Sequence, residues 1–369
     1  MASAVAAMAD VETRIIEDSA AFDALEEPWR QLDSQPGVRP FQEFGWAAAW
    51  LRTLGATTEV RLRVGTLWQG GRLIAVLPLC VRRYKGVRML EWIGSRVTDY
   101  CDAIVDSGLD AGTALRTLWK AISRRGGYDI ARLNHVRTDA RIFGVLNELS
   151  PWTETLEDAG GVPIVWDSGA QWLQQQSSKM RDRVKYNARR MAKAGFEVRV
   201  WDGAGPCAPI IDTLVAQKRP WLAARSLNSF INDPGGVEFL RAVVEVTGRR
   251  GEVCLSTVQS IESQQIAAVD LTFFREGTLY SYIASFDPQY AKYSFGRLLT
   301  DQLLMRACDN GWRRLDLLLG AYDYKTEYGC TLEPVRTLVL PRGILGHAAV
   351  ALYRRRAAGA KADGAAAGS

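Results

Sequence analysis

Two stretches of the chain repeat one order of apolar and polar segments. In each, two apolar strand-like runs flank a short polar turn, and a third apolar run, an amphipathic helix and a last apolar run follow. The first copy predicts strands at 61–67, 71–79 and 89–94, a helix at 112–125 and a strand at 128–134. The second predicts strands at 252–258, 265–274 and 279–285, a helix from 296 and a strand at 314–319. The repeat predicts two copies of a mixed α/β unit, and its length indicates domain duplication instead of a solenoid.

The turn before the second predicted helix has the composition of an anion site. Ser294 to Arg297 form a short polar turn, and apolar residues then recur four apart until Asn310 and Gly311 end the helix. These apolar residues are Phe295, Leu299, Leu303 and Ala307. Backbone N–H groups and the positive dipole end at such a turn suit a pyrophosphate. A purely structural strand–helix–strand unit is the alternative interpretation.

Composition places the chain among globular proteins. Its 369 residues are 47% hydrophobic and 24% charged, which is enough for two domains with cores. No apolar run approaches the roughly 20 residues of a membrane-spanning helix, and the first residues do not resemble a secretion signal. We therefore expect a cytoplasmic protein. Its predicted parts are an N-terminal α/β domain (12–165), a basic linker helix (166–195), a C-terminal α/β domain (196–340) and a basic tail (341–369).

Cysteine and histidine are sparse and form no known motif. The six cysteines make no CxxC pair and lie mostly in apolar runs, so we expect reduced core cysteines and no metal. They are Cys80, Cys101, Cys207, Cys254, Cys308 and Cys330. The two histidines, His135 and His347, follow no GxSxG motif and are expected to be structural or solvated.

Three segments of the second copy carry a resemblance to a known family. FDPQYAKYSFGRLL (286–299) holds the polar turn, LDLLLG (315–320) is an apolar strand with one acid, and Tyr324-Lys325 follows. In this order, and over residues 41–340, the chain resembles GNAT-superfamily acyltransferases of the CelD/BcsL type. The resemblance implies a tandem duplicated GNAT fold, with mixed central sheets and flanking helices as in FemABX-like enzymes. It also implies an acyl-CoA site in the second copy.

The chain departs from the family's usual pyrophosphate loop at two positions. Ser294 stands where the first glycine is expected, and Ala291 stands at the Arg or Gln position. Lys292 could supply the missing positive charge. In GNAT folds, backbone amides of the splayed strand hold the thioester carbonyl, which implies that role for 280–285. The predicted acyl-CoA contacts are Ser285, Lys292, Ser294, Phe295, Gly296 and Arg297.

Acyl transfer from a thioester needs a base and a hydrogen-bond donor for the oxyanion. Because histidine is scarce, we expect a carboxylate base such as Asp270, whose apolar strand would raise its pKa. Lys325 is the foremost catalytic candidate, since the resemblance falls on it directly. The predicted catalytic residues are Lys325, Asp270, Asp99 and Tyr324, with Asp287 and Asp323 as further candidate bases. The structural alternatives are a buried ion pair for Asp270 and an ion pair with Glu327 for Lys325.

Polar segments of both copies predict contacts with an acceptor. Thr98 to Asp102 form an acidic loop in the first copy, similar to an Asp-Tyr-x-Asp pattern of the family. Gln217 to Trp221 precede a polar loop at 226–236 that could act as a lid. The predicted substrate contacts are Asp102, Arg219, Trp221, Asp287 and Tyr290. Capping or turn closure by the two acids, and an idle connection at 226–236, are the alternatives.

Two basic segments predict contact with anions. Residues 178–195 hold seven basic residues against one acid and form a predicted helix, which is a solvated connector, a phosphate partner or a nucleic-acid surface. A net charge of only +5 is lower than expected for a nucleic-acid-binding protein, so no nucleic-acid partner is expected. In the tail, an apolar helix at 342–353 precedes three arginines, and 342–361 could rest on anionic lipid or fray.

The family resemblance implies an acyl-CoA-dependent acyltransferase that acts on an amine or hydroxyl of an envelope lipid or polysaccharide precursor. A long-chain base, as in ceramide synthesis, is the lipid acceptor that it implies. Three alternatives stay open: an exopolysaccharide acetyltransferase, a FemABX-like ligase that draws amino acids from tRNA, and an inactive scaffold. Contact with the inner face of the membrane would bring the enzyme to a lipid acceptor.

Overall fold

The computed structural model of the protein describes residues 10–201, 205–320 and 323–366. At 155–157, 323–324 and 355–366 it describes the backbone only. The described residues form two compact units. The first lies within Met1–Ala47, Thr58–Leu156 and Pro334–Ser369, and the second within Ala48–Thr57 and Glu157–Glu333.

The helices and strands alternate along the whole chain. The first part contains β1 (Val11–Ile16), α1 (Ser19–Asp23), α2 (Glu26–Asp33), α3 (Phe44–Arg52), β2 (Val60–Leu62), β3 (Val64–Gln69), β4 (Arg72–Leu77), β5 (Leu79–Tyr84), β6 (Val87–Trp92), β7 (Ile104–Val105), α4 (Ala111–Arg125), β8 (Ile130–Arg137), α5 (Phe143–Leu149) and β9 (Trp152–Pro163). The second part contains α6 (Gly169–Gln175), α7 (Ser178–Lys193), β10 (Phe196–Trp201), α8 (Ala208–Ala223), α9 (Gly236–Gly248), β11 (Val253–Ser260), β12 (Ile266–Arg275), β13 (Thr278–Phe286), α10 (Phe295–Asp309), β14 (Arg314–Leu319), α11 (Asp323–Glu327), β15 (Thr331–Pro341) and α12 (Gly343–Ala366). Short 3₁₀ turns lie at Pro40–Gln42, Gly55–Thr57, Phe230–Asn232 and Pro288–Tyr293.

The first unit contains a four-stranded sheet and a second, mixed set of strands. The four-stranded sheet has the order β1-β3-β4-β7, and the second set continues from the end of β15 through β8, β6 and β5 to β2. β6 and β8 pair in parallel at Met89–Ile130 and Leu90–Ala131, and α4 lies between them in sequence. The buried face of α4 presents Leu118 and Ile122 to β3. A Cβ at Gly65 would lie 3.2 Å from each of those side chains, so a residue without a Cβ permits this close packing.

The second unit repeats this arrangement. Its strands have the order β10-β11-β12-β13-β14-β9, and all neighbouring pairs are antiparallel except β13 and β14. The helix between that parallel pair, α10, carries apolar side chains on more than one side. These side chains pack in two separate core clusters. Each unit thus carries a parallel strand pair linked through a helix, and the predicted α/β fold with mixed sheets and flanking helices is confirmed.

The compact units divide the chain at points other than the sequence alone indicates. Residues 166–195, which the sequence predicts as a linker, lie within the second unit. Residues 334–340 lie in the first unit, because Val335 to Pro341 pair with β8. No helix of the described residues combines the length and apolarity needed to span a bilayer.

Candidate active site

The parallel strands β13 and β14 separate soon after they begin. They pair at Thr278–Arg314, Leu279–Leu315 and Tyr280–Asp316, whereas β13 continues its antiparallel pairing with β12 as far as Phe286. β14 turns away where Asp316 Oδ1 accepts the Leu318 N–H at 2.9 Å and Leu318 adopts a φ of 58°. Within the described residues, the edge of β13 beyond Tyr280 therefore has no β14 partner, and its backbone groups can meet a ligand.

Lys325 is buried and donates hydrogen bonds to the end of β14. Its side chain is 1% exposed, and Nζ donates to the carbonyls of Leu317, Leu318 and Leu319 at 2.8, 2.9 and 2.9 Å. These bonds direct three ammonium protons to the backbone of the diverging strand. Glu327 pairs with Arg297 at 2.8 Å, so the predicted alternative partner of Lys325 is engaged elsewhere. The catalytic assignment of Lys325 stays a prediction, and the side chains of Tyr324 and Asp323 lie outside the described residues.

Asp270 lies in the middle of β12 with 2% of its surface exposed. Thr272 Oγ1 donates to one carboxyl oxygen at 2.5 Å and Ser281 Oγ donates to the other at 3.0 Å. Burial raises the pKa of Asp270, and the two hydroxyl donors and the charge of Lys218 oppose that effect. The site therefore contains a buried carboxyl that is held next to β13 by hydroxyl groups.

Lys218, on α8, is not among the site residues that the sequence predicts. The side chain is half-buried, its Nζ donates to the carbonyl of Ala284 on β13 at 2.9 Å, and it stands 4.3 Å from the ring centre of Trp221. Burial and the neighbouring Arg225 lower the pKa of Lys218 to about 8, although the charge of Asp270 raises it. A lysine amine with that pKa is partly neutral near pH 8 and can accept a proton.

The turn at the α10 N-terminus has a left-handed residue, Ser294, and open space beside Gly296. Ser294 adopts a φ of 56°, the left-handed conformation that glycine usually supplies at such a position. A Cβ at Gly296 would meet no atom within 4 Å. The first backbone N–H groups of α10 have no partner within the helix by its geometry, and they form the positive end of its dipole.

Positive side chains surround this turn. Arg190 of α7 donates to the carbonyl of Lys292 at 2.8 Å and stacks on Tyr293, and Lys292 Nζ lies 5.1 Å from the same ring. Arg297 is held by Glu327. Phe295 is 2% exposed and packs on Phe196 and Tyr293, so only its backbone can serve a ligand.

The remaining predicted residues of the second unit lie around β13 and the end of α8. Ser285 Oγ donates to Gln217 Oε1 at 2.9 Å, and Arg219 donates to the Ile231 carbonyl of the 226–236 loop at 3.2 Å. Trp221 lies between Lys218 and Arg225, each 4.3 Å from its ring centre. Asp287 accepts the Gln289 N–H at 3.0 Å, and Tyr290 donates to Gln265 at 3.3 Å.

Asp99 and Asp102 lie in the first unit. Asp102 is buried, which raises its pKa, and it accepts backbone N–H groups from Ala103, Arg141 and Ile142 at 2.8 to 3.1 Å. Two of these donors lie 39 and 40 residues further along the chain, so the carboxyl group joins distant segments, and the predicted substrate contact of Asp102 stays a prediction. Asp99 is half-buried in the same loop.

The basic helix α7 is attached to α10 by a charged pair. Arg183 donates twice to Asp301, at 3.0 and 3.1 Å, and Tyr328 donates to the same carboxyl at 2.7 Å. Asp301 is 1% exposed, and burial raises its pKa against the effect of Arg183. α7 is thus anchored to α10, while Lys185, Tyr186 and other residues of its outer side remain exposed.

His135 and the cysteines provide no metal centre among the described residues. No group of three His, Cys, Asp or Glu side chains in the described ranges is placed to hold an ion. Burial lowers the pKa of His135, whose Nδ1 lies 2.6 Å from the Thr98 carbonyl. The predicted absence of a metal stays a prediction.

Comparisons with known proteins agree with this geometry. Residues 178–326 match a family model described as an acetyltransferase (GNAT) domain. The matched residues include the diverging strands β13 and β14, the α10 turn, Lys218 and Asp270. The structure of FemX is similar, with 12% identity, a TM-score of 0.59, and coverage of 90% of this chain and 97% of that one. The C-terminal domain (DUF2156) of a putative lysylphosphatidylglycerol synthetase from Agrobacterium fabrum has 12% identity, a TM-score of 0.56 and coverage of 89% and 95%. L-PGS from Bacillus licheniformis has 11% identity, a TM-score of 0.53 and coverage of 85% and 96%.

No curated protein matched the sequence. At 11–12% identity, the structural likenesses establish the fold alone. The chain has a GNAT-like α/β fold, as the sequence predicts, and the match of residues 178–326 to the GNAT domain model supports an acyltransferase. The CelD/BcsL type stays a prediction.

Proposed function

We propose that the protein is an acyl-CoA-dependent acyltransferase that modifies an amine or hydroxyl of a cell-envelope lipid or polysaccharide precursor. The observation that carries this proposal is Lys218, a half-buried amine with a pKa of about 8 that touches β13 beyond its separation from β14. A proton acceptor and an open strand edge in one GNAT domain are the two parts that acyl transfer requires.

The donor would bind along the second unit. The turn at Ser294 offers its N–H groups to the pyrophosphate, and Arg190 and Lys292 add positive charge beside it. The thioester would then follow β13, whose unpaired edge offers N–H groups to the carbonyl. This route uses Ser294 in place of the family's glycine, because the serine already has the left-handed conformation.

Lys218 would accept the proton of the acceptor during attack. Its neutral amine takes the O–H or N–H proton as the acceptor atom forms a bond to the thioester carbon. The C–S bond then breaks, and the Lys218 ammonium returns the proton to the departing sulfur to give the CoA thiol. Asp270 raises the pKa of Lys218 and so stabilises the intermediate ammonium.

A lipid acceptor has the stronger support. The described part of α12 exposes large apolar side chains, with Ile344 90% and Leu345 70% exposed, and Arg342 lies just before the helix. Apolar and cationic side chains on one terminal helix suit the surface of an anionic membrane. A long-chain base in that membrane is our preferred acceptor.

Ligand-dependent thermal stability tests the donor. Purified protein is titrated with acetyl-CoA, palmitoyl-CoA and free CoA, because a ligand at 100 times its Kd adds about 2.7 kcal/mol to the folded state. Stabilisation by palmitoyl-CoA beyond that by free CoA supports a long-chain donor, and equal stabilisation by acetyl-CoA and CoA supports acetylation. Absence of stabilisation by all three would overturn the proposal.

An aminoacyl donor is the second candidate, and the exposed basic side of α7 favours it. Lys185 and Arg189 are exposed on that side, and two similar structures carry lysylphosphatidylglycerol synthetase or L-PGS in their descriptions. Such an enzyme would bind charged tRNA and ignore CoA thioesters. Binding of aminoacyl-tRNA with no response to CoA would select this candidate, and no response to either donor would select an inactive scaffold.

A further inference from the structure

The first unit contains a cavity that the proposed function does not use. It has a volume of about 570 Å³, within the range of roughly 300–1,000 Å³ typical of small-molecule sites. Alternate residues of β6 and β8 line it, among them Met89, Glu91 and Arg132. The residues between them, such as Leu90 and Leu133, belong to the core cluster that includes the buried face of α4. The cavity therefore lies on the sheet face away from α4, and α12 supplies its other wall.

One part of the cavity wall is apolar, and another part carries the buried polar residues Glu91, Ser95 and Asn134. Ile130, Val339 and Val350 form a buried cluster at its base. The further apolar lining comprises Tyr84, Val87, Met89, Trp152, Ala349, Leu352 and Tyr353. Trp152 and Tyr353 pack against each other in its wall, with ring centres 5.4 Å apart. An apolar chain in this space would exchange water for hydrocarbon contacts.

α12 meets the sheet tightly at one end and loosely at the other. The Arg342 N–H donates to the Asp129 carbonyl at 2.7 Å, and a Cβ at Gly346 would come within 2.0 Å of that same oxygen. Two turns further on, Leu352 and Tyr353 line the cavity and are each 52% exposed. Apolar side chains half open to water at a cavity mouth are available to a ligand.

The charges around the cavity are predominantly positive. Four cationic and two anionic side chains line it: Arg82, Lys85, Arg96, Arg132, Glu91 and Glu154. The two acids form ion pairs, Arg82–Glu91 at 2.7 Å and Arg132–Glu154 at 3.6 Å. Lys85 lies over the ring of Tyr84 at 5.4 Å, and none of the ion pairs among the described residues includes it. The excess positive charge selects an anionic group at the mouth.

We infer that this cavity binds a single-chain amphiphile with an anionic head group. The chain lies between Met89, Ile130 and Val350, and the head group lies at the mouth beside Lys85. The site belongs to the first unit, so it goes beyond the donor site proposed for the second unit and does not depend on it.

Calorimetric titration below the critical micelle concentration tests the inference. Dodecyl phosphate is expected to bind to the full chain at one site, and dodecyltrimethylammonium, with the same chain and opposite charge, at least tenfold more weakly. Met89→Trp fills the cavity from β6 and should abolish dodecyl phosphate binding. Lys85→Glu, in the turn between β5 and β6, should weaken it at least fivefold. Arg83→Glu makes an equal charge change near the end of β5 and outside the lining, and it should not weaken binding.

Several results would overturn the inference. These are equal affinity for the two amphiphiles, unchanged binding in Met89→Trp, equal effects of Lys85→Glu and Arg83→Glu, and binding to anionic vesicles without binding to monomeric dodecyl phosphate. Each variant's thermal unfolding is recorded first, so that loss of binding is read only from folded protein.

The same variants separate this site from the donor site. Stabilisation by free CoA should be unchanged in Met89→Trp, because CoA has no long chain and its proposed site lies in the second unit. Loss of dodecyl phosphate binding with retained CoA binding would show that the substitution affects the cavity alone. Loss of CoA binding with retained dodecyl phosphate binding would show that it affects the proposed donor site alone. A palmitoyl-CoA response that disappears in Met89→Trp would assign that response to the cavity.

Discussion

Lys218 is an example of a side chain whose chemistry depends on its neighbours. The residue lies on α8 against β13, where burial disfavours its charged form. Asp270 acts in the opposite direction, since its negative charge favours the ammonium. The balance brings the pKa of Lys218 from 10.5 to about 8. The neutral fraction therefore increases as the pH rises through about 8.

This shift predicts selective chemical labelling of Lys218. Under limiting amine-reactive reagent, the rate of Lys218 modification should rise with a midpoint near pH 8, because only the neutral amine reacts. Peptide mass spectrometry after brief labelling measures the rate at each pH. Asp270→Asn removes the neighbouring charge and should move the midpoint to lower pH.

Lys185, exposed on α7, is the internal comparator in the same digest. Identical pH profiles for Lys218 and Lys185 would contradict the environment assigned to Lys218. If an acceptor has been identified, Lys218→Met should lower kcat about 10²- to 10⁴-fold, the usual contribution of a general base. Lys185→Met should leave kcat unchanged.

At the scale of elements, the α10 turn is the proposed contact with the donor's phosphates. The space around Gly296 is open, so a larger side chain at this position fits without displacing neighbours. Gly296→Glu adds a negative charge where the helix dipole favours an anion and should weaken CoA binding severalfold, corresponding to about 1 kcal/mol. Calorimetry with free CoA measures the difference.

Gly296→Gln has nearly the same shape without the charge, and it is the matched control. Equal affinities of the Glu and Gln variants for CoA would show that the turn does not contact the phosphates. The difference between the two variants should diminish as salt is added, since screening weakens interactions between exposed charges.

The attachment of α7 to α10 gives a second prediction at this scale. Asp301→Asn leaves the Arg183 guanidinium without its charged partner and should lower the free energy of unfolding by on the order of 3 kcal/mol. Urea unfolding followed by circular dichroism measures this change. Glu327→Gln breaks the exposed pair between α11 and Arg297 of α10 and should cost about 1 kcal/mol or less. Similar costs for the two substitutions would argue against the buried anchor.

At the scale of the whole molecule, the apolar side of α12 should determine membrane association. Ile344→Glu with Leu345→Glu should weaken binding to anionic vesicles roughly tenfold or more, since each large apolar side chain contributes about 1.5–3 kcal/mol when buried. Co-sedimentation with vesicles measures the bound fraction. Ile344→Gln with Leu345→Gln removes the same apolar side chains without adding charge and is the control. Binding that is lost in the Glu variant and retained in the Gln variant would assign the loss to charge alone.

The periodicity of apolar residues predicts many of the helices and strands without tertiary information. The predicted strand at 314–319 coincides with β14 and the predicted helix at 112–125 with α4 to within one residue. Hydrophobic spacing is a property of residues that are close in sequence, so it predicts helices and strands without knowledge of distant contacts. The order of these elements also carried the family resemblance, which led to the GNAT-like fold.

Side-chain roles were less accessible from the sequence. Lys325 was selected for its motif, but its carbonyl partners depend on how β14 bends. Asp102 was one of several acids in a loop, and its three N–H partners belong partly to a segment 39 and 40 residues away. Lys218 belongs to the polar stretch Gln217 to Trp221, and its contact with β13 depends on a strand 66 residues further along the chain.

The sequence by itself determined the elements, their order, the repeated unit and the turn at the start of α10, because each depends on short-range patterns. Tertiary structure alone decided that β15 completes the first unit, that Lys218 meets β13, and that residues of β6, β8 and α12 together line a cavity. Burial and the shift of a pKa depend on groups that are distant in sequence and adjacent in space, so neither can be read from a run of residues.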